Sequence, residues 1–295
     1  MSKRDEFLQF IADGPRVCEG SMGIMLFRAG YRDGNVTEWS ATNPAAVTAV
    51  HAAYLEIGAE LFQTNSFVAN RPMLRAAGIE HLAQDIWRGS VRAARAAIGP
   101  DHYLAANAGP TGLLLEPYGD TSPEECEGYF REQLAAQVDE GVDWIILETF
   151  MALEELEAAL AGAREAAPDL AIAATMAFDR KGHTQFGVSG EQAAQRLAAA
   201  GADLVGVNCG DPENALIALA AMAPATDLPL LAQLNAGVPE LIEGVTHFPA
   251  DPEQYLQYAK QALDLGVAII GGCCGATPDH MRLVVEEVRG RRGDA

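Results

Sequence analysis

Short apolar segments alternate with Ala- and Leu-rich segments of helical periodicity along the whole chain. Eight segments have the length and composition of buried strands, at residues 16–18, 60–64, 103–106, 144–147, 171–176, 204–207, 230–234 and 268–270. Helical patterns lie between them, at residues 44–57, 79–98, 154–166, 191–200, 213–222, 252–265 and 278–288, with another beginning at Ser122. This alternation predicts a parallel sheet with helices packed outside it.

The ends of several predicted helices carry residues that favour starting or stopping a helix. Ser122 can cap a helix whose first turn begins with Pro123 and continues with two acidic residues. Glycines suited to a left-handed C-cap follow four helical segments, at Gly58, Gly141, Gly201 and Gly266. These signals support a division of the chain into repeated strand–helix units.

No linker or break in composition divides the 295 residues, so we predict one domain over residues 1–295. Eight strands and eight helices at this length favour a closed (β/α)8 TIM barrel, an α/β fold. An open, doubly wound sheet is the alternative. In TIM barrels the active site lies at the C-terminal rim of the strands, within the loops that lead into the helices. Functional residues are therefore expected directly after the strands.

Charge and hydropathy disfavour two classes of partner. The chain has 20 Lys and Arg against 41 Asp and Glu, a net charge of −21, and no basic run. This balance opposes binding to nucleic acid or to an anionic membrane surface. The longest apolar stretches are far shorter than the roughly 18–20 residues that span a bilayer, and the N-terminal segment lacks the apolar core of a signal peptide. We therefore predict a cytoplasmic globular protein without nucleic-acid or membrane partners.

Polar residues follow almost every predicted strand. They are Glu19 after the first strand, Thr64 and Asn65 after the second, Asn107 after the third, Glu148 and Thr149 after the fourth, Asn208 and Cys209 after the sixth, Asn235 after the seventh, and Cys273 and Cys274 after the eighth. If the strands form a barrel, all of these side chains meet at one rim.

Three of the five cysteines belong to this rim. Cys209 follows the sixth strand, while Cys273 and Cys274 follow the eighth in a glycine-rich loop that can turn tightly. Three thiolates suit Zn²⁺, which in catalytic sites has three protein ligands and one exchangeable position. By residue type alone, buried or redox-active thiols are an equal alternative. Cys18 and Cys126 lie outside this group and are predicted to be structural.

Seven short motifs occur in order along the chain, at residues 19–26 (EGSMGIML), 63–67 (QTNSF), 109–112 (GPTG), 148–150 (ETF), 206–209 (GVNC), 235–239 (NAGVP) and 271–278 (GGCCGATP). With these motifs the sequence resembles the homocysteine S-methyltransferase family. That family includes the homocysteine-binding module of cobalamin-dependent methionine synthase and betaine–homocysteine methyltransferase. The resemblance extends from about residue 17 to about residue 288.

The resemblance implies a (β/α)8 barrel that binds zinc through Cys209, Cys273 and Cys274. The thiol of homocysteine would take the fourth position on the metal. A free thiol has a pKa near 8.5 and is mostly protonated at neutral pH, so metal coordination would be needed to make it a nucleophile. The implied activity is a zinc-dependent methyltransferase that converts homocysteine to methionine.

The resemblance also assigns substrate-binding residues. Glu148 matches a family acid that helps to hold the amino group of homocysteine, and Asn235 matches an Asn that occupies or flanks the fourth metal position when substrate is absent. Glu19 stands where the family usually has Asp, so its carboxylate is displaced by one methylene. Asn65 and Thr149 complete the candidate set. The six histidines match no ligand position, and most are predicted to lie on helix faces or in solvent.

The methyl donor stays open. The chain has neither a cobalamin motif nor a strand-linked Gly-x-Gly-x-x-Gly sequence, so a Rossmann-type adenosylmethionine site is not expected. One donor class is a methyl-corrinoid on a separate protein, favoured by residues 64–74, which resemble the methionine synthase module. The other is a small methylated sulfonium or ammonium compound, for which Trp39, Tyr31 or Phe67 could supply an aromatic cage.

Two functions of a different class are also left open. A non-catalytic zinc- or homocysteine-binding subunit of a larger complex would account for Glu19 in place of Asp. A vicinal-thiol redox protein would use Cys273 and Cys274 without a metal.

Overall fold

The structure of the chain, a computed structural model, describes residues 1–179, 181–242 and 245–293. Within these residues eight strands form one parallel sheet and two form a separate antiparallel hairpin. In chain order the strands are β1 (Arg16–Val17), β2 (Leu61–Gln63), β3 (Tyr103–Ala108), β4 (Trp144–Phe150), β5 (Ala171–Met176), β6 (Leu204–Asn208), β7 (Leu230–Leu234), the hairpin strands β8 (Glu240–Ile242) and β9 (Val245–His247), and β10 (Ile269–Gly272).

The parallel sheet closes into a barrel. Its strand order is β1-β10-β7-β6-β5-β4-β3-β2, which leaves β1 and β2 at the two ends. These ends meet, because the Glu60 amide donates to the Val17 carbonyl and the Glu19 amide donates to the Leu61 carbonyl, both at 2.9 Å. The predicted (β/α)8 barrel is therefore confirmed, and the alternative of an open, doubly wound sheet is wrong.

Twelve α-helices lie in the described part of the chain: α1 (Lys3–Ala12), α2 (Met22–Arg28), α3 (Trp39–Thr42), α4 (Pro44–Glu56), α5 (Arg71–Ala76), α6 (Ala83–Ile98), α7 (Pro123–Asp139), α8 (Leu153–Ala166), α9 (Gly190–Ala199), α10 (Pro212–Met222), α11 (Pro252–Asp264) and α12 (Pro278–Arg292). The eight predicted helices are all present. Helices α1, α2, α3 and α5 and the β8–β9 hairpin are additions that the alternating pattern did not show. None of these helices has both the length and the apolar character needed to cross a membrane.

The predicted helix ends are found in the structure. Ser122 caps α7 by accepting a hydrogen bond from the Glu125 amide, and Pro123 occupies the first helical position. The four glycines expected at helix C-termini all have positive φ angles, which a residue without a Cβ adopts at little cost.

Helix α1 covers the N-terminal end of the barrel. Phe7 and Ile11 are buried among inward-facing side chains of the strands. The Phe7 ring stacks on Trp144, with a centroid distance of 4.9 Å and an interplanar angle of 18°. Full burial of such aromatic rings stabilises this end of the fold. The opposite end of the barrel, at the carboxyl ends of the strands, is not covered by α1.

Candidate active site

A cavity of about 250 Å³ opens at the carboxyl ends of the barrel strands. Seven of the eight residues predicted as ligands or substrate contacts line it: Glu19, Asn65, Glu148, Thr149, Cys209, Cys273 and Cys274. Asn235 lies beside the cysteines rather than on the cavity wall. The fold thus brings together residues that are up to 255 positions apart in the sequence, from Glu19 to Cys274.

The three cysteine sulfurs form a tight cluster whose ligand atoms all lie within 4.8 Å of one another. Backbone hydrogen bonds fix two of these cysteines against β7, because the Cys209 amide donates to Gln233 at 3.0 Å and the Cys273 amide donates to Leu234 at 2.8 Å. All three thiols are free and half-buried. The cluster could therefore hold a metal ion, and an all-sulfur donor set favours a soft or borderline metal.

Two residues beside the cavity have backbone conformations that non-glycine residues rarely adopt. The φ angle of Cys209 is 64° and that of Thr149 is 66°. Each residue follows an inward-facing polar residue near the end of its strand, namely Asn208 on β6 and Glu148 on β4. Such strain persists only where the surrounding contacts enforce it, and it often occurs at functional sites.

Without a metal, the three thiols do not ionise independently. Hydrogen bonds from Cys273 and Cys274 lower the pKa of Cys209. The same contact with Cys209 raises the pKa of Cys273 and that of Cys274 above the usual value. Two further thiolates would repel the first at this distance, so a cation is needed to hold all three in the charged form.

Asn235 bridges the two loops that carry the cysteines. Its Nδ2 atom donates to the Gly210 carbonyl at 2.8 Å, and its Oδ1 atom accepts the Cys274 amide at 3.0 Å. The amide also hydrogen-bonds to Cys209, which helps to lower the pKa of that thiol. Asn235 therefore lies beside the cysteine cluster, and both ends of its amide are occupied by the protein.

Glu148 is a buried carboxylate held by two amides. Asn107 Nδ2 donates to Oε1 at 2.8 Å, and Asn208 Nδ2 donates to Oε2 at 3.0 Å. Burial raises the pKa of Glu148 to about 7, against the opposing effect of these hydrogen bonds. The Oδ1 atom of Asn107 is buried and has no hydrogen-bond partner among the described residues. A cationic group would satisfy the carboxylate and this oxygen together.

The two amides that hold Glu148 belong to a network of polar side chains from β2, β3, β4, β6 and β7 at the floor of the cavity. Asn107 Nδ2 also donates to Gln63 Oε1 at 3.2 Å, and Asn208 Nδ2 also donates to Gln233 Oε1 at 2.9 Å. Sequence reasoning missed Gln63 and Gln233. A polar residue at an inward position of an otherwise buried strand was the signal that could have revealed them.

Glu19 makes contacts that the sequence did not predict. His51 Nδ1 lies 2.8 Å from Glu19 Oε2. The backbone N–H of Gln63 donates to Glu19 Oε1, also at 2.8 Å. His51 lies on the helix α4, as the helical pattern predicts, and its side chain is fully buried. Since both carboxylate oxygens have protein partners, Glu19 ties β2 and α4 to the end of β1.

Asn65 and Thr149 connect the cavity wall to neighbouring segments. Asn65 Nδ2 donates to Ser40 Oγ at 3.1 Å, and Ser40 Oγ donates to the Asn65 carbonyl at 3.1 Å. Thr149 Oγ1 donates to Asn208 Oδ1. Their polar atoms therefore hold α3 and β6 in place around the cavity.

Comparison with known proteins gives a consistent result. A sequence profile described as homocysteine S-methyltransferase matches residues 16–288. The chain is 28% identical to methionine synthase from Mycobacterium leprae over 96% of this chain, but it spans only 25% of that protein. It is 32% identical to betaine–homocysteine S-methyltransferase 1 from Xenopus laevis, covering 93% of this chain and 73% of the relative.

A solved structure shows the same fold. The metallated form of the homocysteine methyltransferase MmuM from Escherichia coli superimposes with a TM-score of 0.78 and 23% sequence identity. The match covers 93% of this chain and 96% of that protein. At this identity the likeness concerns the barrel architecture.

Proposed function

Because the chain belongs to the homocysteine S-methyltransferase family, a family of methyltransferase enzymes, we propose that it transfers a methyl group to the thiol of homocysteine and yields methionine. One observation carries this proposal: three cysteine sulfurs lie within 4.8 Å of one another in a cavity that also holds the buried carboxylate of Glu148. The cysteine cluster suits a metal that activates a thiol, and the Glu148 carboxylate suits an ammonium group. Homocysteine carries both a thiol and an ammonium group.

The proposed metal is zinc, held by Cys209, Cys273 and Cys274. The donor set fits, because zinc prefers thiolate ligands and a three-ligand site leaves one position for a substrate atom. When bound, zinc would lower the pKa of the homocysteine thiol so that its sulfur is a thiolate at neutral pH. The chain contributes the positions of the three sulfurs, which Asn235 and the backbone bonds to β7 maintain.

Glu148 and Asn107 would bind the amino group of the substrate. The ammonium group would complete the carboxylate's set of donors and give the Asn107 Oδ1 atom the partner that it lacks. Its positive charge would also favour the ionised form of Glu148 and lower the raised pKa. The cavity volume of about 250 Å³ lies below the range of about 300–1,000 Å³ for drug-sized ligands and suits an amino acid.

In the proposed reaction the homocysteine thiol loses its proton to solvent, and its sulfur forms a bond with the methyl carbon of the donor. The bond between that carbon and the donor atom breaks, and the electron pair leaves with the donor. The cavity holds the sulfur at a fixed place at the open end of the barrel, so catalysis consists largely of positioning.

For the donor, the proposal retains a methyl-corrinoid on a separate protein and a small methylated compound. The three aromatic residues that could have formed one cage do not face one cavity. Phe67 lines the thiol cavity, whereas the rings of Tyr31 and Trp39 pack edge to face with centroids 5.2 Å apart. This packing weakens the argument for an aromatic cage around a sulfonium or ammonium donor.

Zinc content and homocysteine binding test the proposal together. The protein is purified beside Cys209→Ala and the control Cys126→Ala, which removes a buried thiol on α7 outside the cluster. We expect about one zinc ion per chain in the wild type and in the control, and loss of zinc in Cys209→Ala. Titration of the zinc-loaded protein with homocysteine should then release about one proton from the thiol in buffers above the Glu148 transition.

Two results would contradict the proposal. One is a folded wild-type protein that binds no zinc when the metal is supplied. The other is a zinc-loaded protein that neither binds homocysteine nor releases a proton.

A further inference from the structure

A second and larger cavity adjoins the thiol cavity. It has a volume of about 910 Å³ and shares Ile24 and Phe27 with the smaller one. Its walls come from α2 and the loop after it, from β9, and from the start of α12, with Phe248 and His280 on the far side. We call it the Arg28–Arg32 groove after the two arginines that line it. A methyl donor bound in this groove would lie next to the proposed acceptor.

The charge of the groove is opposite to that of the protein. Arg28 and Arg32 both line it, and no Asp or Glu is found among its described lining residues, in a chain whose net charge is −21. Neither arginine has a carboxylate within 4.0 Å in the described part of the chain, whereas most other arginines do. Two guanidinium groups without a carboxylate partner, in a chain rich in acidic residues, indicate a site for an external anion.

The backbone holds one of these arginines in place. Arg32 Nη1 donates to the carbonyls of Phe27 at 2.9 Å and Tyr31 at 3.0 Å, which leaves the remaining N–H groups of its guanidinium to bind a ligand. The side chain of Arg28, at the end of α2, makes neither a hydrogen bond nor an ion pair with the residues that the structure describes. His280 adds no free donor, because both of its ring nitrogens bond within the protein, to Thr277 and Ala250.

The groove also offers an apolar surface. Phe27 is 45% exposed between the two cavities, and Phe248 is half-buried at the opposite wall. Exposed aromatic rings beside guanidinium groups are suited to a ligand with an apolar or aromatic body and an anionic substituent. The volume is more than three times that of the thiol cavity, so the ligand would be larger than the amino acid acceptor.

We propose that the Arg28–Arg32 groove binds the methyl donor, and that this donor is a small molecule with an apolar body and a carboxylate, phosphate or similar anionic group. The inference rests on the proposed function. The anionic group pairs with Arg28 and Arg32, and the methyl-bearing end passes Ile24 and Phe27 toward the acceptor sulfur. The sulfur–carbon bond forms as the carbon–donor bond breaks, and the donor atom retains the electron pair. A donor with only a positive charge would be repelled by the two guanidinium groups.

Two fluorescent probes that differ in a single charged group test this proposal. One is 1-anilinonaphthalene-8-sulfonate, an aromatic anion, and the other is N-phenyl-1-naphthylamine, its neutral counterpart. Both are titrated into the full-length, zinc-loaded protein and into the Arg28→Gln/Arg32→Gln variant. The control is Arg75→Gln/Arg92→Gln, which removes two exposed, ion-paired charges outside the groove.

We expect the dissociation constant of the sulfonate probe to rise at least ten-fold in the groove variant and less than two-fold in the control. The neutral probe should bind all three proteins equally. Arg28→Gln alone, which breaks no described hydrogen bond, should give an intermediate loss. Equal weakening in the control would show a general effect of net charge, and unchanged binding in the groove variant would place the anion elsewhere; either result overturns the proposal.

The same proteins distinguish this inference from the proposed function. Zinc content and homocysteine binding depend on the cysteine cluster and should be unchanged in the groove variant. If zinc or homocysteine fails to bind the wild type, the proposed function is wrong whatever the probes show. If both bind and the dissociation constant of the sulfonate probe is the same in the wild type and the groove variant, only the inference about the donor fails.

Discussion

His51 Nδ1 lies 2.8 Å from Glu19 Oε2, and both side chains are buried beside the candidate active site. The pair joins the middle of α4 to the end of β1. Because Glu19 Oε1 accepts the Gln63 amide as well, this carboxylate is a structural link between three elements at the rim of the barrel. The extra methylene relative to the Asp expected there allows the carboxylate to reach these partners, so we infer that positioning is the first task of Glu19.

Replacing His51 should therefore destabilise the protein, although His51 is not one of the clustered cysteines. In His51→Leu, Glu19 Oε2 loses its partner while it stays buried, which should lower the free energy of unfolding by about 1–3 kcal/mol. His51→Asn retains a side-chain nitrogen near the position of Nδ1 and should recover much of this loss. Urea denaturation measures both effects. Equal stability of His51→Leu and the wild type would show that the pair contributes nothing to the fold.

Glu148 should make the stability of the metal-free protein depend on pH. Its pKa is raised to about 7 by burial, against 4.5 for an unperturbed glutamic acid. A raised pKa means that the folded state favours the protonated form. The stabilisation is therefore complete below pH 4.5 and is lost as the pH rises through about 7, by about 3 kcal/mol in total.

Comparison with Glu148→Gln isolates this dependence, because the glutamine does not titrate. We expect the stability of the wild type relative to the variant to fall between pH 5 and pH 8, whatever the constant offset between the two proteins. Denaturation across this pH range provides the measurement. A constant difference would mean that Glu148 ionises normally in the folded protein.

Asn235 should control metal affinity without being essential to the fold. Its amide connects Gly210 to Cys274, so Asn235→Ala should loosen the geometry of the cysteine cluster. We expect zinc binding to weaken by about 10–100-fold, as is typical when a group that orients metal ligands is lost. Asn70→Ala is the matched control, since Asn70 is also a buried amide that bonds to loop carbonyls, at Gly109 and Pro110. Competition with a chromogenic chelator measures both affinities, and equal losses would refute the assigned role.

Gly275 should be required for the loop that presents Cys273 and Cys274. It has a φ angle of +83°, and a Cβ at this position would lie 2.4 Å from Cβ of Phe248. Gly266 has nearly the same φ angle, +84°, with nothing within 4 Å of its added Cβ. Both alanine variants therefore carry backbone strain of about 1–2 kcal/mol, but only Gly275→Ala has to displace a neighbour.

Zinc affinity separates the two glycine variants. Gly275→Ala should bind zinc at least ten-fold more weakly than the wild type, because relief of the clash moves the adjacent Cys274. Gly266→Ala should lose stability only. If both variants bind zinc like the wild type, the metal site does not depend on this loop conformation.

The strands could be predicted because their apolar runs are buried on both faces, as in β5, whose six residues are all buried. The ends of β3 and β4 were placed too early. Asn107 and Glu148 continue these strands into the barrel, but a polar residue after an apolar run resembles the start of a loop. Polarity thus marked two residues that line the candidate site, while it concealed how far the strands extend.

Contacts between distant segments could not be read from the chain. His51 is 32 residues from Glu19, and its position on the inner face of α4 depends on how that helix packs against β1 and β2. Helix α1 precedes the first strand, so the strand–helix alternation gave no reason to expect it. The cysteine cluster could be predicted because the barrel topology alone brings the ends of β6 and β10 to one rim.

Helix α1 has a further consequence for the order of events. Phe7 and Ile11 fill one end of the barrel, and among the described residues the thiol cavity lies at the opposite end, beside the Arg28–Arg32 groove. If the groove binds the donor as proposed, a donor that covers the thiol cavity would require the amino acid to bind first and the methylated product to leave last. In that case an excess of donor over acceptor should inhibit the proposed reaction.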